Sequence, residues 1–180
     1  EAFFARLVEE YDPFRMRRGD VDPVGVAIEE LRRRQRRLVC AESCTGGLVT
    51  KSVTDVPGSS DILWGGFVSY ANEAKTDVLG VREETLENHG AVSRETVEEM
   101  ARGALEAAGI EDGISVAVSG IAGPEGGTPE KPVGTVWFAV AEDGEKTVAH
   151  RILLPGSRDT IRRKATAYAL LLVRGALTGE

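Results

Sequence analysis

The sequence reads Val39-Cys40-Ala41-Glu42-Ser43-Cys44-Thr45-Gly46-Gly47 where a short apolar run gives way to small and hydroxyl-bearing residues, and a helical pattern follows. We interpret this stretch as a buried strand that turns into a helix. The first backbone N–H groups of a helix have no partner within it, so they favour an anion or a developing negative charge. Open α/β sheets place their chemistry at such strand ends. The stretch therefore predicts a functional site that includes Ser43, Cys44 and Thr45.

Strands and helices alternate along the rest of the chain. Apolar runs of strand length predict five strands, at 38–41, 66–70, 114–119, 135–141 and 147–154. Helical spacing predicts helices from Val24, over 47–53, from an Asn72 cap to Leu79, from a Ser93 cap to Ala108, and from Ser157 or Asp159 onwards. The last two strands are joined by a hairpin turn. This alternation predicts an α/β protein, a three-layer α/β/α sandwich around a mixed sheet.

The chain divides near Pro23. Residues 1–11 carry apolar side chains at helical spacing, and the prolines at 13 and 23 with Gly19 break any regular element between them. We expect residues 1–22 to form an N-terminal helical arm or linker and residues 23–180 to form one domain with a full core.

Composition and charge exclude several classes of protein. The net charge of −7 argues against a nucleic-acid binder, because neutralising phosphates requires a basic face. No apolar run approaches the roughly 20 residues that span a bilayer, so no membrane partner is expected. The start shows no signal peptide pattern, which makes the cytoplasm the expected location. The basic run at 32–37 is interpreted as a helix end, with a local phosphate patch as the alternative.

Metal and cofactor sites are not predicted. Cys40, Cys44, His89 and His150 do not assemble into a zinc pattern, and the glycine-rich loops match neither the Walker pattern nor a complete dinucleotide fingerprint. The two cysteines are interpreted as buried free thiols, with a nucleophilic Cys44 as the alternative.

The catalytic hypothesis that remains is a serine activated by a lysine. The sequence has no GxSxG elbow, so a Ser/His/Asp arrangement finds little support. A lysine can serve as the base when burial or a nearby cation disfavours its ammonium. Lys75 is the candidate, one turn into a short helix that follows Tyr70. On the sequence alone, a surface lysine is the stronger interpretation of Lys75.

The chain resembles the CinA C-terminal domain family over about 24–177. The resemblance rests on several unusual loops that agree together, at residues 41–47, 65–75, 89–93, 119–124, 131–137 and 158–162. Stand-alone members of that family are nicotinamide mononucleotide amidohydrolases. The resemblance implies hydrolysis of the carboxamide to nicotinic acid mononucleotide and ammonia, in pyridine nucleotide salvage, at a serine-based site without metal or cofactor. It also implies a homodimer or a larger homo-oligomer.

Site residues follow from the resemblance position by position. Ser43 would be the nucleophile, Lys75 the base that takes its proton, and Tyr70 an orienting or relaying group. Arg158 would hold the phosphate or pyridine side of the nucleotide. The other implied substrate-binding residues are Glu42, Thr45, Gly46, Gly47, Ser60, Ser119 and Gly120. The amides after Ser43 would bind the oxyanion. A binding or oligomerising module of a larger CinA protein without turnover, and an amidase for another amide, are the alternatives.

Overall fold

A computed structural model describes residues 22–179 of the chain. The elements in chain order are α1 (Pro23–Arg34), β1 (Arg37–Glu42), α2 (Leu48–Thr54), a short 3-10 helix (Ser59–Asp61), β2 (Leu63–Val68), α3 (Asn72–Leu79), α4 (Glu83–His89), α5 (Arg94–Ala108), β3 (Gly113–Gly120), β4 (Thr135–Glu142), β5 (Val148–Leu153) and α6 (Arg158–Thr178). The predicted arm at 1–22 lies outside the described residues, except for Asp22, whose side chain accepts from the Val24 amide at the start of α1.

The sheet is mixed, as predicted. Its five strands follow the order β2-β1-β3-β4-β5. Strand β1 pairs in parallel with β2 and β3, whereas β4 pairs antiparallel with both β3 and β5. The carboxyl ends of β2, β1 and β3 therefore meet at one edge of the sheet, with the end of β1 in the middle.

Helices cover both faces of the sheet and complete the predicted three layers. One face packs against α1, α2 and α6 through large side chains such as Phe138, Ile114 and Leu170. The other packs against α3, α4 and α5, where small residues such as Ala117 and Ala139 dominate the strands. Small side chains on a strand leave room for helices to approach the sheet closely.

Gly103 fixes the position of α3. A Cβ atom at this position of α5 would lie 1.7 Å from the carbonyl oxygen of Leu79, the last residue of α3. Only glycine allows the end of α3 to sit this close to α5. The contact anchors the helix that carries Lys75 and thereby contributes to the geometry of the site.

Three predicted details differ from the structure or are refined by it. Ala71 is the N-cap of α3, and Asn72 is its first helical residue. Strand β2 begins at Leu63 rather than at 66, because its paired glycines resemble a turn in the sequence although they pair with β1. Ser157 caps α6, where the sequence left Ser157 and Asp159 open.

The first three arginines of the basic run belong to a helix end, as the first interpretation expected, whereas Arg36 follows that helix and Arg37 begins β1. Arg32, Arg33 and Arg34 form the last turn of α1, where cations complement the helix dipole. Arg32 pairs with Asp61, and the other two pair with Glu30. Within residues 22–179, none of the helices combines the length and the apolar character that crossing a membrane requires.

Candidate active site

A cavity of about 240 Å³ lies where the three parallel strands end. The residue after β1 is Ser43, the residues after β2 lead to Tyr70, and β3 ends at Gly120. The residues that line the cavity are Ser43, Cys44, Tyr70, Lys75, Ala91, Val92, Ser119, Gly120, Ala122 and Arg158. The lining contains the amine of Lys75, the guanidinium of Arg158 and no carboxylate. The sequence-predicted location of the site thus coincides with an actual cavity.

Ser43 and Lys75 meet inside this cavity. The Nζ atom of Lys75 lies 3.2 Å from the Oγ atom of Ser43, although the residues are 32 positions apart. Lys75 is only 1% exposed and Ser43 only 8%. The interpretation of Lys75 as a surface lysine is therefore wrong, because α3 directs this side chain into the interior.

The surroundings of Lys75 suit a neutral amine. Its Nζ atom donates to the carbonyl oxygens of Ser69, at 2.8 Å, and Tyr70, at 3.2 Å. Burial is the main reason that the pKa of Lys75 is lowered, since desolvation disfavours the ammonium form. A neutral amine has two N–H donors and one lone pair. In the neutral form, the two carbonyls would match the two donors, and the lone pair would be left for the Ser43 hydroxyl.

Glu42 holds the turn between β1 and α2 in place from the α2 side. Its fully buried carboxylate accepts hydrogen bonds from the backbone amides of Gly47, Val49 and Thr50, at 2.8–3.1 Å, and from the Thr50 hydroxyl at 2.7 Å. The carboxylate thus satisfies the open amides at the start of α2. This placement corrects the expectation that Glu42 binds substrate: its oxygens face the helix, not the cavity.

Replacing Glu42 with glutamine is expected to lower the free energy of unfolding by about 3 kcal/mol. The amide group of glutamine would bring an N–H donor towards the backbone N–H groups, and buried donors left unsatisfied cost about 1–3 kcal/mol each. Urea unfolding followed by circular dichroism measures the change. The matched control is Glu87→Gln on the exposed side of α4, which we expect to change stability by less than about 0.5 kcal/mol. Equal stability of the two variants would contradict this role of Glu42.

The turn amides are not equally free to bind an oxyanion. The Gly46 amide donates to the Ser43 carbonyl oxygen at 3.1 Å, and the Gly47 amide donates to Glu42. These two amides are therefore engaged. The amides of Cys44 and Thr45 come directly after the nucleophile candidate and stand outside these bonds. The Thr45 hydroxyl is buried and has no hydrogen-bond partner within the described part of the chain.

Tyr70 and Arg158 lie at the mouth of the cavity. The Tyr70 side chain is 62% exposed, and its hydroxyl lies 3.3 Å from Nη2 of Arg158. The other guanidinium nitrogen, Nη1, donates to the carbonyl oxygen of Gly123 at 2.9 Å. Tyr70 thus reaches Lys75 through its backbone carbonyl, while its phenol accompanies the arginine. This pair places a positive charge and one hydroxyl group where a ligand would enter.

Ser119 and Gly120 are brought to the cavity, whereas Ser60 is not. The buried Ser119 hydroxyl donates to the Ala91 carbonyl oxygen at 2.7 Å, so its oxygen remains an acceptor towards the cavity. Ser60 lies in the 3-10 helix that precedes β2, and β2 runs parallel to β1. Ser60 therefore lies at the amino ends of the parallel strands, whereas Ser43 lies at their carboxyl ends. This corrects the expectation that Ser60 lines the pocket.

Both cysteines are buried free thiols, as interpreted from the sequence. Burial raises the pKa of the Cys44 thiol to about 11, which disfavours the thiolate that a cysteine nucleophile needs. Among residues 22–179, no cluster of three or more His, Cys, Asp or Glu side chains could hold a metal ion.

Two contributors to the site were missed in the sequence. The backbone carbonyl oxygen of Ser69 accepts the shortest hydrogen bond from Lys75, and no side-chain pattern reveals such a backbone contact. Arg162 donates to the carbonyl oxygens of Cys44 and Thr45 from α6. A signal existed for it, because Arg162 lies one helical turn after Arg158 and such positions share a helix face.

Comparison with known proteins gives a consistent family. The sequence model of the CinA C-terminal domain matches residues 24–177. The chain is 54% identical over 142 residues to the nicotinamide-nucleotide amidohydrolase PncC of Escherichia coli strain K12, a match that covers 79% of this chain and 85% of the relative. It is also 54% identical to a putative competence-damage inducible protein of Symbiobacterium thermophilum, but there it spans only 36% of the longer relative.

A solved structure agrees with the sequence relatives. The competence damage-inducible protein A from Klebsiella pneumoniae superposes with a TM-score of 0.81 at 40% identity, over 87% of this chain and 95% of that chain. This likeness confirms the predicted fold over the domain.

Proposed function

The chain belongs to the CinA C-terminal domain family, and we propose from this premise that it hydrolyses the carboxamide of nicotinamide mononucleotide to give nicotinic acid mononucleotide and ammonia. The observation that carries the proposal is the buried contact between Ser43 and Lys75 in a cavity at the carboxyl edge of the sheet. Amide hydrolysis needs an activated nucleophile, donors for a tetrahedral oxyanion and a proton for the departing amine. The cavity offers a group for each requirement.

Acylation begins with transfer of the Ser43 proton to the lone pair of neutral Lys75. The serine oxygen then bonds to the carboxamide carbon, and the carbonyl electron pair moves onto oxygen. The amides of Cys44 and Thr45 stabilise this oxyanion. When the tetrahedral intermediate collapses, the C–N bond breaks and the Lys75 ammonium returns its proton to the leaving nitrogen, which departs as ammonia. The product of this half-reaction is an ester between Ser43 and the nicotinoyl group.

Deacylation repeats the sequence with water. Lys75, neutral again, takes a proton from a water molecule that attacks the ester carbon, and then returns that proton to the Ser43 oxygen. The serine hydroxyl is restored and nicotinic acid mononucleotide leaves. One lysine therefore serves as base and acid in both halves, which requires a pKa below the ordinary value of about 10.4.

Substrate binding uses the mouth and the floor of the cavity. Arg158 with the Tyr70 hydroxyl would receive the phosphate, since a guanidinium forms charge-assisted hydrogen bonds with phosphate oxygens. The Ser119 oxygen would accept from the carboxamide N–H₂ group, because its own hydrogen is committed to Ala91. Cavities for whole ligands are usually about 300–1,000 Å³. The observed cavity is smaller than that, so it suits the nicotinamide ring while the ribose phosphate extends through the mouth.

The assembly and the location are inferred with the function. We infer a cytoplasmic protein, in keeping with a pyridine nucleotide substrate, and a homodimer or larger homo-oligomer. Strand β2 supports the second inference, because it forms an edge of the described sheet, ends at the exposed Val68 and is followed by the exposed Tyr70. Unpaired strand edges of this kind are templates for pairing with another chain.

Incubation with nicotinamide mononucleotide is expected to release ammonia with saturation kinetics. A coupled glutamate dehydrogenase assay measures the ammonia, and chromatography identifies nicotinic acid mononucleotide. Nicotinamide riboside is the matched control substrate, and its kcat/KM is expected to be lower because Arg158 loses the phosphate. Binding of the nucleotide in a calorimeter without ammonia release would refute the enzyme and leave the binding module as the function.

A further inference from the structure

Arg162 forms two hydrogen bonds with the backbone of the turn that carries Ser43. Its Nε atom donates to the Cys44 carbonyl oxygen at 3.1 Å, and its Nη2 atom donates to the Thr45 carbonyl oxygen at 2.7 Å. Both bonds span more than 110 positions in the chain and join α6 to the turn after β1. Gly46 leaves room for this contact, because a Cβ there would lie 3.1 Å from Nη2 of Arg162.

The hydrogen bond from Arg162 to the Cys44 carbonyl oxygen determines the direction of the Thr45 N–H group. The Cys44 carbonyl and the Thr45 N–H belong to the same peptide unit, which is planar and trans. In such a unit the C=O and the N–H point in opposite directions. Holding the Cys44 oxygen against Arg162 therefore fixes the Thr45 N–H so that it points away from the guanidinium. A cation on the carbonyl also polarises the peptide and makes its N–H a stronger donor.

We propose that Arg162 is a positioning residue, which orients and polarises the Cys44–Thr45 peptide so that the Thr45 N–H stabilises the oxyanion formed at the Ser43 attack site. The inference rests on the proposed function and adds a residue to it that does not line the cavity. Glu42 holds the amides of the same turn from the α2 side, so the turn is fixed at its carbonyls by one charged side chain and at its amides by another.

Replacing Arg162 with glutamine is expected to lower kcat by about 10²-fold while KM changes by less than about threefold, because an oxyanion donor acts mainly in the transition state. Arg162→Lys keeps the charge but only one of the two bonds, and we expect about a tenfold loss of kcat. The matched control is Arg163→Gln on the next position of α6, whose exposed partner is Asp159. It is expected to keep wild-type kcat and KM.

A second readout separates this inference from the proposed function. A fluorophosphonate probe forms a tetrahedral adduct on an activated serine and releases fluoride, so its rate at Ser43 also depends on the oxyanion donors. We expect Arg162→Gln to be labelled about 10²-fold more slowly than the wild type. If the wild type releases no ammonia, the proposed function fails, and the labelling rates still decide the role of Arg162.

Several results would overturn the role of Arg162. One is an Arg162→Gln variant whose kcat or labelling rate equals that of the wild type. Another is an Arg162→Gln variant in which only KM changes. The third is a failure of the probe to label Ser43 in the wild-type protein. If Arg162→Gln does not fold, Arg162→Lys decides the question. Full activity in Arg162→Lys would show that the two hydrogen bonds to the carbonyl oxygens of Cys44 and Thr45 are not needed.

Discussion

Ser43→Ala is expected to lower kcat for ammonia release by on the order of 10⁴- to 10⁶-fold, with a smaller change in nucleotide affinity. Loss of the nucleophile in a unit that acts together removes almost all of its contribution, leaving the oxyanion donors and binding. The Ser43 hydroxyl has the two features that a nucleophile needs: contact with a base at 3.2 Å and a position on the cavity wall. Steady-state kinetics with nicotinamide mononucleotide measures kcat, and calorimetry measures the affinity of the variant.

The control for this variant is Ser60→Ala. Ser60 is an exposed serine at the opposite edge of the sheet, and we expect its replacement to leave kcat unchanged. A single-turnover burst should appear in the wild type if the ester accumulates, and it should be absent from Ser43→Ala. Substantial turnover by Ser43→Ala would contradict the assignment and direct attention to Cys44, the other nucleophile candidate that lines the cavity.

The location of the site could be predicted from the sequence, because it depends on local patterns. An apolar run that ends in Ser43 and two glycines indicates a strand end before a helix, and parallel strands bring such ends to one edge. The three-layer arrangement follows equally from alternating periodicities. Both predictions use features that neighbouring residues determine.

The burial of Lys75 could not be predicted from the residues alone, because it depends on distant contacts. The α3 helix is only eight residues long and ends where Gly103 of α5 lets it approach. The carbonyls that bind Nζ belong to the segment after β2. The pattern of α3 indicates a helix, but it does not indicate which of its polar residues faces inwards.

Glu42 is a different case, in which alternation along β1 held the answer. Side chains at alternate strand positions face the same side, so Glu42 shares a face with Cys40. That face packs against α2 and α6, and the carboxylate meets the start of α2 there. The family resemblance implied a ligand contact for Glu42, whereas the period of the strand indicates a structural one.

Lys75→Met is expected to lower kcat by on the order of 10³- to 10⁴-fold and to leave the fold intact. Methionine resembles the flexible apolar stem of lysine without the amine, and it suits a position that is 1% exposed. A base that takes the Ser43 proton and returns it to the leaving nitrogen contributes about 10²- to 10⁴-fold, and here the same group serves both steps. Stopped-flow or steady-state ammonia assays measure kcat, and thermal unfolding checks the fold.

The pH profile tests the same lysine without mutation. Burial disfavours the ammonium, so the pKa of Lys75 is lowered, and the active neutral form prevails above that pKa. The kcat/KM of the wild type is therefore expected to fall as the pH drops through a single ionisation below the ordinary lysine value of about 10.4. Lys75→Arg should not restore activity, since a guanidinium stays protonated, and Lys51→Met on the exposed side of α2 should keep the wild-type profile. An active Lys75→Arg variant, or the same ionisation in Lys75→Met, would mean that another group takes the serine proton, because neither side chain can supply the lone pair that faces Ser43.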